Sequence, residues 1–396
     1  MSSISAKPTA SHRRGMLVIG AISAQVIGGL FAQMSPFVVA GLMGGRLELS
    51  EREAGLVTSI ELLTLAITAI VLAPLLPRLP YRRICVAAVA LTFLAQVLSI
   101  LASGWTALVI LRSIAGVGEG ALYALSLSIV ASCANNPEKI FGYFQVVWAV
   151  GSVPLFSAGG EITAAYADRG IFTLLAGITL ALAPLLLLLP NNRSPEDKSV
   201  GSEHQTSSST IGAMLLAGIF LYIAVAAALY AFSTSMGKRA GLDTVAVGYT
   251  LTVATLVGLA GAAAATALNV RWGRALPISA FCFTSAVVAV MLCLWQNSTA
   301  FVIAVVLAAI LWYFSLPYLF GLAAAIDRSG RWAAAAGSAY LLGYAAGPFL
   351  GGAVIASSGY TFLAVVVVAL TAASWVLLMV VLNRSMAGRT GVLLKA

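Results

Sequence analysis

The stretch NNRSPEDKSVGSEHQTSSS (191–209) is the one long polar break in an otherwise apolar chain of 396 residues. On either side, apolar runs follow one another at about 20 residues each, the length that crosses the hydrocarbon core of a bilayer as a helix. Six precede the break, near 16–43, 54–77, 84–103, 105–133, 140–160 and 170–190. Six follow it, near 210–236, 244–268, 275–296, 299–325, 332–357 and 360–383. The expected fold is an all-α membrane protein of twelve transmembrane helices in two pseudo-symmetric bundles. Its parts are an N-terminal tail (1–15), a first six-helix bundle (16–190), a linker (191–209), a second six-helix bundle (210–383) and a C-terminal tail (384–396).

Composition leads to the same solvent. Hydrophobic residues make up 61% of the chain and charged residues 9%, against roughly 25% charged in soluble proteins. Such a chain cannot cover its surface in water, so the lipid bilayer is its first partner. The net charge of +9 comes from residues at the ends of apolar runs, without the interleaved aromatics of a nucleic-acid surface. Cys85, Cys133, Cys282 and Cys293 show no paired spacing, and both histidines, His12 and His204, lie in polar stretches. No metal, cofactor or disulfide framework is expected. The first apolar run is too long for the core of a cleaved signal and reads as a retained first helix.

Lys and Arg orient the chain. With the N-terminus in the cytoplasm, 16 of the 22 fall in cytoplasmic segments, five in outer loops (Arg46, Arg52, Arg169, Lys238, Arg239) and one, Arg112, inside a helix. That bias places both termini inside a plasma (inner) membrane. The halves also repeat. A shift of 193 lays RLPYRR (78–83) over RWGR (271–274), and a shift of 194 lays Pro154 over Pro348. Duplicated bundles imply a site between them near the midplane, reached by alternating access.

These features resemble the major facilitator superfamily over essentially the whole chain. The loop after helix 2 is similar to the family's GxxxDRxGRR signature, with Pro77 at the acidic position and Pro80 in place of a glycine. Its second copy keeps Arg271, Gly273 and Arg274 but has Val270 at the acidic position. The resemblance implies that Arg78, Arg82, Arg83, Arg271 and Arg274 belong to gating loops. A GxxxGPxxGG pattern stands intact as GYAAGPFLGG (343–352) in helix 11, with an eroded counterpart around Pro154 in helix 5. Pro154, Gly343, Gly347, Pro348, Gly351 and Gly352 are read as packing and bending positions.

Three ionisable residues fall well inside spans: Glu61 in helix 2, and Arg112 and Glu119 in helix 4. Charges there are expensive, face protein or water, and mark function by default. Arg112 and Glu119 are seven apart, on one helix face about 10 Å from each other along the axis. Side chains lean toward a helix N-terminus, so Arg112 points away from Glu119 and toward the depth of Glu61, and the expected pair is Glu61 with Arg112. Glu119 is then the group free to exchange a proton, because an apolar surround and a nearby cation act on a carboxyl in opposite senses. RSIAGVGEG (112–120) resembles the RxxxGxGE stretch of the anion:cation symporter and spinster-like branches. The resemblance implies that Arg112 helps bind an anionic substrate and Glu119 takes the proton. Helix 1 departs from that branch, with Gln25, Gln33 and Ser35 but no charge. Gln33, Tyr123, Trp312 and Tyr313 are further substrate-binding candidates.

The function expected is proton-coupled uptake of a small organic anion by a monomer. The alternative is proton-driven efflux of lipophilic or cationic compounds, which a carboxylate surplus and an uncharged second half favour. An intramembrane enzyme would need a nucleophile–base pair or metal ligands within the spans. No span contains His, and no HExxH occurs.

Overall fold

The computed structural model describes residues 10–76, 79–133, 137–189, 209–269, 271, 273–326 and 331–393, with side chains described from residue 15 except at 130–145, 209, 331 and 385–393. All but the last residue of the expected linker, together with Arg78, lies outside the described residues. The elements run α1 (Ala10–Gly44), α2 (Glu51–Leu72), α3 (Tyr81–Leu101), α4 (Trp105–Cys133), α5 (Pro137–Leu182), a 3-10 turn (Ala183–Leu188), α6 (Ser209–Ala231), α7 (Ser233–Arg239), α8 (Thr244–Leu268), α9 (Ala275–Leu294), α10 (Ser298–Ile326) and α11 (Arg331–Leu393). No strand occurs among the described residues.

Local sequence sets several starts. Ser50 and Glu53 form a reciprocal capping box ahead of α2, which satisfies two amides that a helix end otherwise leaves open. Asp243 caps α8 through the Ala246 amide at 2.7 Å, and Asn297 caps α10 through that of Ala300 at 2.8 Å. Ser50 and Asp243 are 193 positions apart, so the repeat read from the loops extends to the caps.

Among the described residues, ten elements are long and apolar enough to cross a membrane, against the twelve separate helices expected. The difference lies in α5 and α11, which continue through the expected loops and reverse at one residue each, Ala167 (φ 47°, ψ −128°) and Gly359 (φ 76°, ψ −179°). The chain folds back after each. A Cβ on Gly170 would lie 2.7 Å from the carbonyl oxygen of Ile162, a separation impossible along a continuous helix. Beyond Gly359, Ser374 donates to the Gly218 carbonyl and Trp375 to Ser279. No polar loop was needed to turn the chain.

One end of the molecule is closed and the other open. At the closed end a single core mixes residues from before and after the linker, among them Phe37, Phe156 and Phe172 with Phe232, Met236 and Phe301. Toward the other end the buried cores separate, one around Tyr81, Ile129 and Leu186, the other around Phe281, Tyr318 and Leu382. Glycines bring the closed end together. A Cβ at Gly352 would meet the Glu51 backbone, one at Gly55 the Pro348 carbonyl, and one at Gly248 would lie 2.6 Å from that of Phe156. Hydroxyls tie the same seams: the Phe349 amide donates to Ser59 at 2.8 Å, and Ser157 meets Thr252 at 3.3 Å. Gly343, Gly347 and Gly351 face α6 instead, with Gly347 against Ala224, Ala227 and Ala228.

Overpacking a tight contact costs about 1–3 kcal/mol, and each 1.4 kcal/mol shifts an equilibrium about tenfold. Gly248→Leu should therefore open the closed end. Labelling of a Ser157→Cys reporter by a membrane-impermeant maleimide should rise about tenfold over the same reporter with Gly248 intact; equal labelling would mean that this contact does not hold the end shut.

Candidate functional site

A cavity of about 1460 Å³ lies between the segments before and after the linker, running from Gln33 and Tyr230 at mid-depth to Ala73 and Ala334 at the open end. Its wall is largely apolar and rich in rings, with Tyr123, Trp148 and Phe156 from before the linker and Tyr222, Tyr230, Trp312, Tyr313, Phe320, Tyr340 and Tyr344 from after it. Trp312 lies 5.9 Å from both Tyr340 and Tyr344 between ring centroids, and the two tyrosines stack at 6.3 Å. These separations belong to the favourable range for aromatic pairs, so the wall is a packed surface. Polar groups are few and neutral: Gln33 donates to Ser152 at 2.7 Å, Tyr222 meets Ser285 at 3.2 Å, and Ser126 bonds Gln25. No charged side chain lines the cavity among the described residues.

Gln33, Tyr123, Trp312 and Tyr313 line the cavity wall. Arg112, Glu61 and Glu119 do not. They form a separate polar cluster inside the first half, each fully buried. The guanidinium of Arg112 donates to Glu61 at 3.1 and 3.3 Å, to the Ala95 carbonyl at 3.1 Å and to Ser99 at 2.7 Å, and it lies 4.6 Å from the centre of the Phe172 ring. Glu61 and Arg112 meet as their equal depth requires. Arg112 is not held open for a solute in this state.

Glu119 sits apart from that pair. Gln96 donates to its Oε1 at 3.4 Å, while its Oε2 has no partner, and neither do Gln96 Oε1, Thr92 Oγ1 or Arg112 Nε. The glycines of RSIAGVGEG explain how α2 and α3 come close enough. Gly116 and Gly120 seat against the backbones of Glu61 and Leu65, and Gly118 against Ala88 and Thr92. Gln96 and Ser99 were not singled out from sequence, although each is a polar residue in an otherwise apolar run and that signal was available. At the open end Arg82, Arg83 and Arg271 are exposed. Neither they nor Arg274 make an ion pair among the described residues, where the pairs are Arg112–Glu61 and Arg46–Asp168.

The family model of the Major Facilitator Superfamily matches residues 17–327. The chain belongs to this superfamily and is a multi-pass membrane transporter. Three solved structures share the fold at low identity. Two are of a bacterial homolog to the human lysosomal transporter Spinster, inward-facing and occupied (16% identity, TM-score 0.69) and inward-facing and unoccupied (16%, 0.68), each aligned over 97% of this chain and 98% of that one. The third is a D-xylose-proton symporter (15% identity, TM-score 0.72, 91% and 97% covered). No curated protein matches the sequence.

Removing one partner of a buried ion pair strands the other charge and costs about 3–5 kcal/mol, while an apolar replacement of both is far milder. Arg112→Met and Glu61→Gln should each lower the melting temperature in detergent more than the double variant does. A double variant as unstable as the sum of the singles would show that the two side chains are not a unit.

Proposed function

We propose that the chain is a secondary transporter of twelve transmembrane helices, with α5 and α11 each supplying two crossings around Ala167 and Gly359. The bundles 16–190 and 210–383 are the moving bodies and 191–209 the cytoplasmic link between them. The distribution of Lys and Arg supports a plasma (inner) membrane location with both termini, and the open end of the cavity, in the cytoplasm. The described state is then inward-facing. A single copy holds a complete cavity and acts as the monomer. Arg78, Arg82, Arg83, Arg271 and Arg274 border the open end, where the halves meet when the cavity turns outward.

One observation carries the solute class: the cavity wall is aromatic and uncharged while Arg112 is committed elsewhere. Of the two solutes expected, a small organic anion finds no cation on this wall. A lipophilic or cationic compound finds ring faces, which attract cations as well as apolar bodies. The reading is therefore proton-driven movement of lipophilic or cationic compounds, loaded from the cytoplasm. Glu119 carries the proton. Its Oε2 and Gln96 Oε1 are two buried acceptors without a donor, and one proton on Glu119 supplies it. The Arg112–Glu61 pair is the fixed neighbour that shapes this site. Proton coupling is also in keeping with the proton symporter among the similar folds.

In proteoliposomes, a proton gradient should drive flux of an aromatic cation such as ethidium. Glu119→Gln should reduce that flux at least tenfold while thermal stabilisation by ethidium persists. Undiminished gradient-driven flux in the Gln variant would move coupling to another group. Thermal stabilisation by benzoate or other organic acids, lost in Arg112→Ala, would restore the anion reading instead.

A further inference from the structure

Pro36 lies inside α1, at mid-depth beside the cavity. Proline has no amide hydrogen, so the carbonyl four residues earlier loses its helical partner, and the ring pushes that carbonyl outward. In lipid such a group has no water to turn to and must be satisfied within the protein. The carbonyl is that of Ala32, and Tyr344 donates its hydroxyl to it at 3.1 Å. The next carbonyl, of Gln33, accepts from Tyr230 at 2.6 Å. Both tyrosines come from the half of the chain after the linker, and Ala32, Gln33, Tyr230 and Tyr344 all line the cavity.

We infer that the Ala32 and Gln33 carbonyls are the polar anchor of the substrate site, a preformed acceptor pair for an O–H or N–H donor on an otherwise apolar, aromatic solute. The solute donor replaces the tyrosine hydroxyl, and the hydroxyl turns into the cavity. The exchange conserves hydrogen bonds, so it is close to balanced, and the ring contacts of the solute tip it. It also undoes one of the two bonds by which Tyr230 and Tyr344 join α1 to the second half, which links occupancy to release of the halves. Oxygen acceptors suit both a neutral hydroxyl and an ammonium, and they discriminate against carboxylates.

This inference rests on the proposed lipophilic-solute reading, and matched probes separate the two. Thermal stabilisation of the detergent-solubilised protein is measured with 2-naphthol against 2-methoxynaphthalene, and with phenylpiperazinium against its N,N-dimethyl derivative. The donor-bearing member of each pair should bind about threefold to tenfold more tightly, the worth of one hydrogen bond. Tyr344→Phe, which leaves the Ala32 carbonyl unclaimed, should widen that preference, and Tyr230→Phe, which frees one acceptor position on the Gln33 carbonyl, should widen it less. Pro36→Ala returns an amide to the Ala32 carbonyl and should narrow it, with the donor-free probes unchanged in all three variants. If no probe of either kind stabilises the parent, the lipophilic-solute reading fails and takes the inference with it. If both members of each pair bind and the tyrosine variants leave their ratio unchanged, the anchor alone is wrong.

Discussion

A polar atom withdrawn into a bilayer is costly unless it finds its partner inside the protein, because the hydrocarbon offers none. That constraint places most of what is specific in this chain. It obliges Arg112 to take Glu61, Ser99 and the Ala95 carbonyl together, and it recruits Tyr344 to the carbonyl that Pro36 leaves free. In water each of these groups could be left to solvent. In lipid each becomes a contact between particular helices, and the contacts fix how the helices meet.

Close approach is the second requirement, and glycine meets it at two kinds of seam. Within the first half, Gly116, Gly118 and Gly120 let α4 lie against α2 and α3 so that short polar side chains reach one another. Between the halves, Gly55, Gly248 and Gly352 bring backbones together at the closed end. The first kind is sealed around an ion pair whose separation would strand charge. The second is held by apolar contact and a few hydroxyl bonds, which reform readily. The seams between the halves, the moving bodies of the proposed function, are thus the ones least costly to open.

Much of this was legible in the sequence, where it depended on depth and period. Span length marked the chain as a bundle of apolar helices, and equal depth paired Glu61 with Arg112. What the sequence could not show was which face each helix turns to the cavity. The resemblance of RSIAGVGEG implied an anion at Arg112, while its azimuth directs it to α2 and α3. The reversals at Ala167 and Gly359 fall in the breaks read between spans, 161–169 and 358–359, but the sequence did not show that the helices carry on to a single turning residue. Pro36 drew no attention because a proline in a membrane helix is ordinary. Its meaning depends on Tyr230 and Tyr344, about two hundred and three hundred positions away.

The two halves divide the work unequally. Buried charge belongs to the first half, and most of the aromatic wall belongs to the second. Helix α1 is one of the elements that touch both, as α2 and α5 also do. A Cβ on its Gly28 would lie 2.8 Å from the Glu119 carbonyl and from the Tyr123 amide, and its Ala32 and Gln33 carbonyls accept from the second half. Under the proposed function, a change at Glu119 and a solute at the Pro36 kink therefore act on the same helix, on faces about one turn apart. Proton and solute need not meet in one chamber to be coupled. A rigid helix with a proline kink, packed without a gap against the proton site and tied by two exchangeable bonds to the opposite bundle, suffices to make each sensitive to the other.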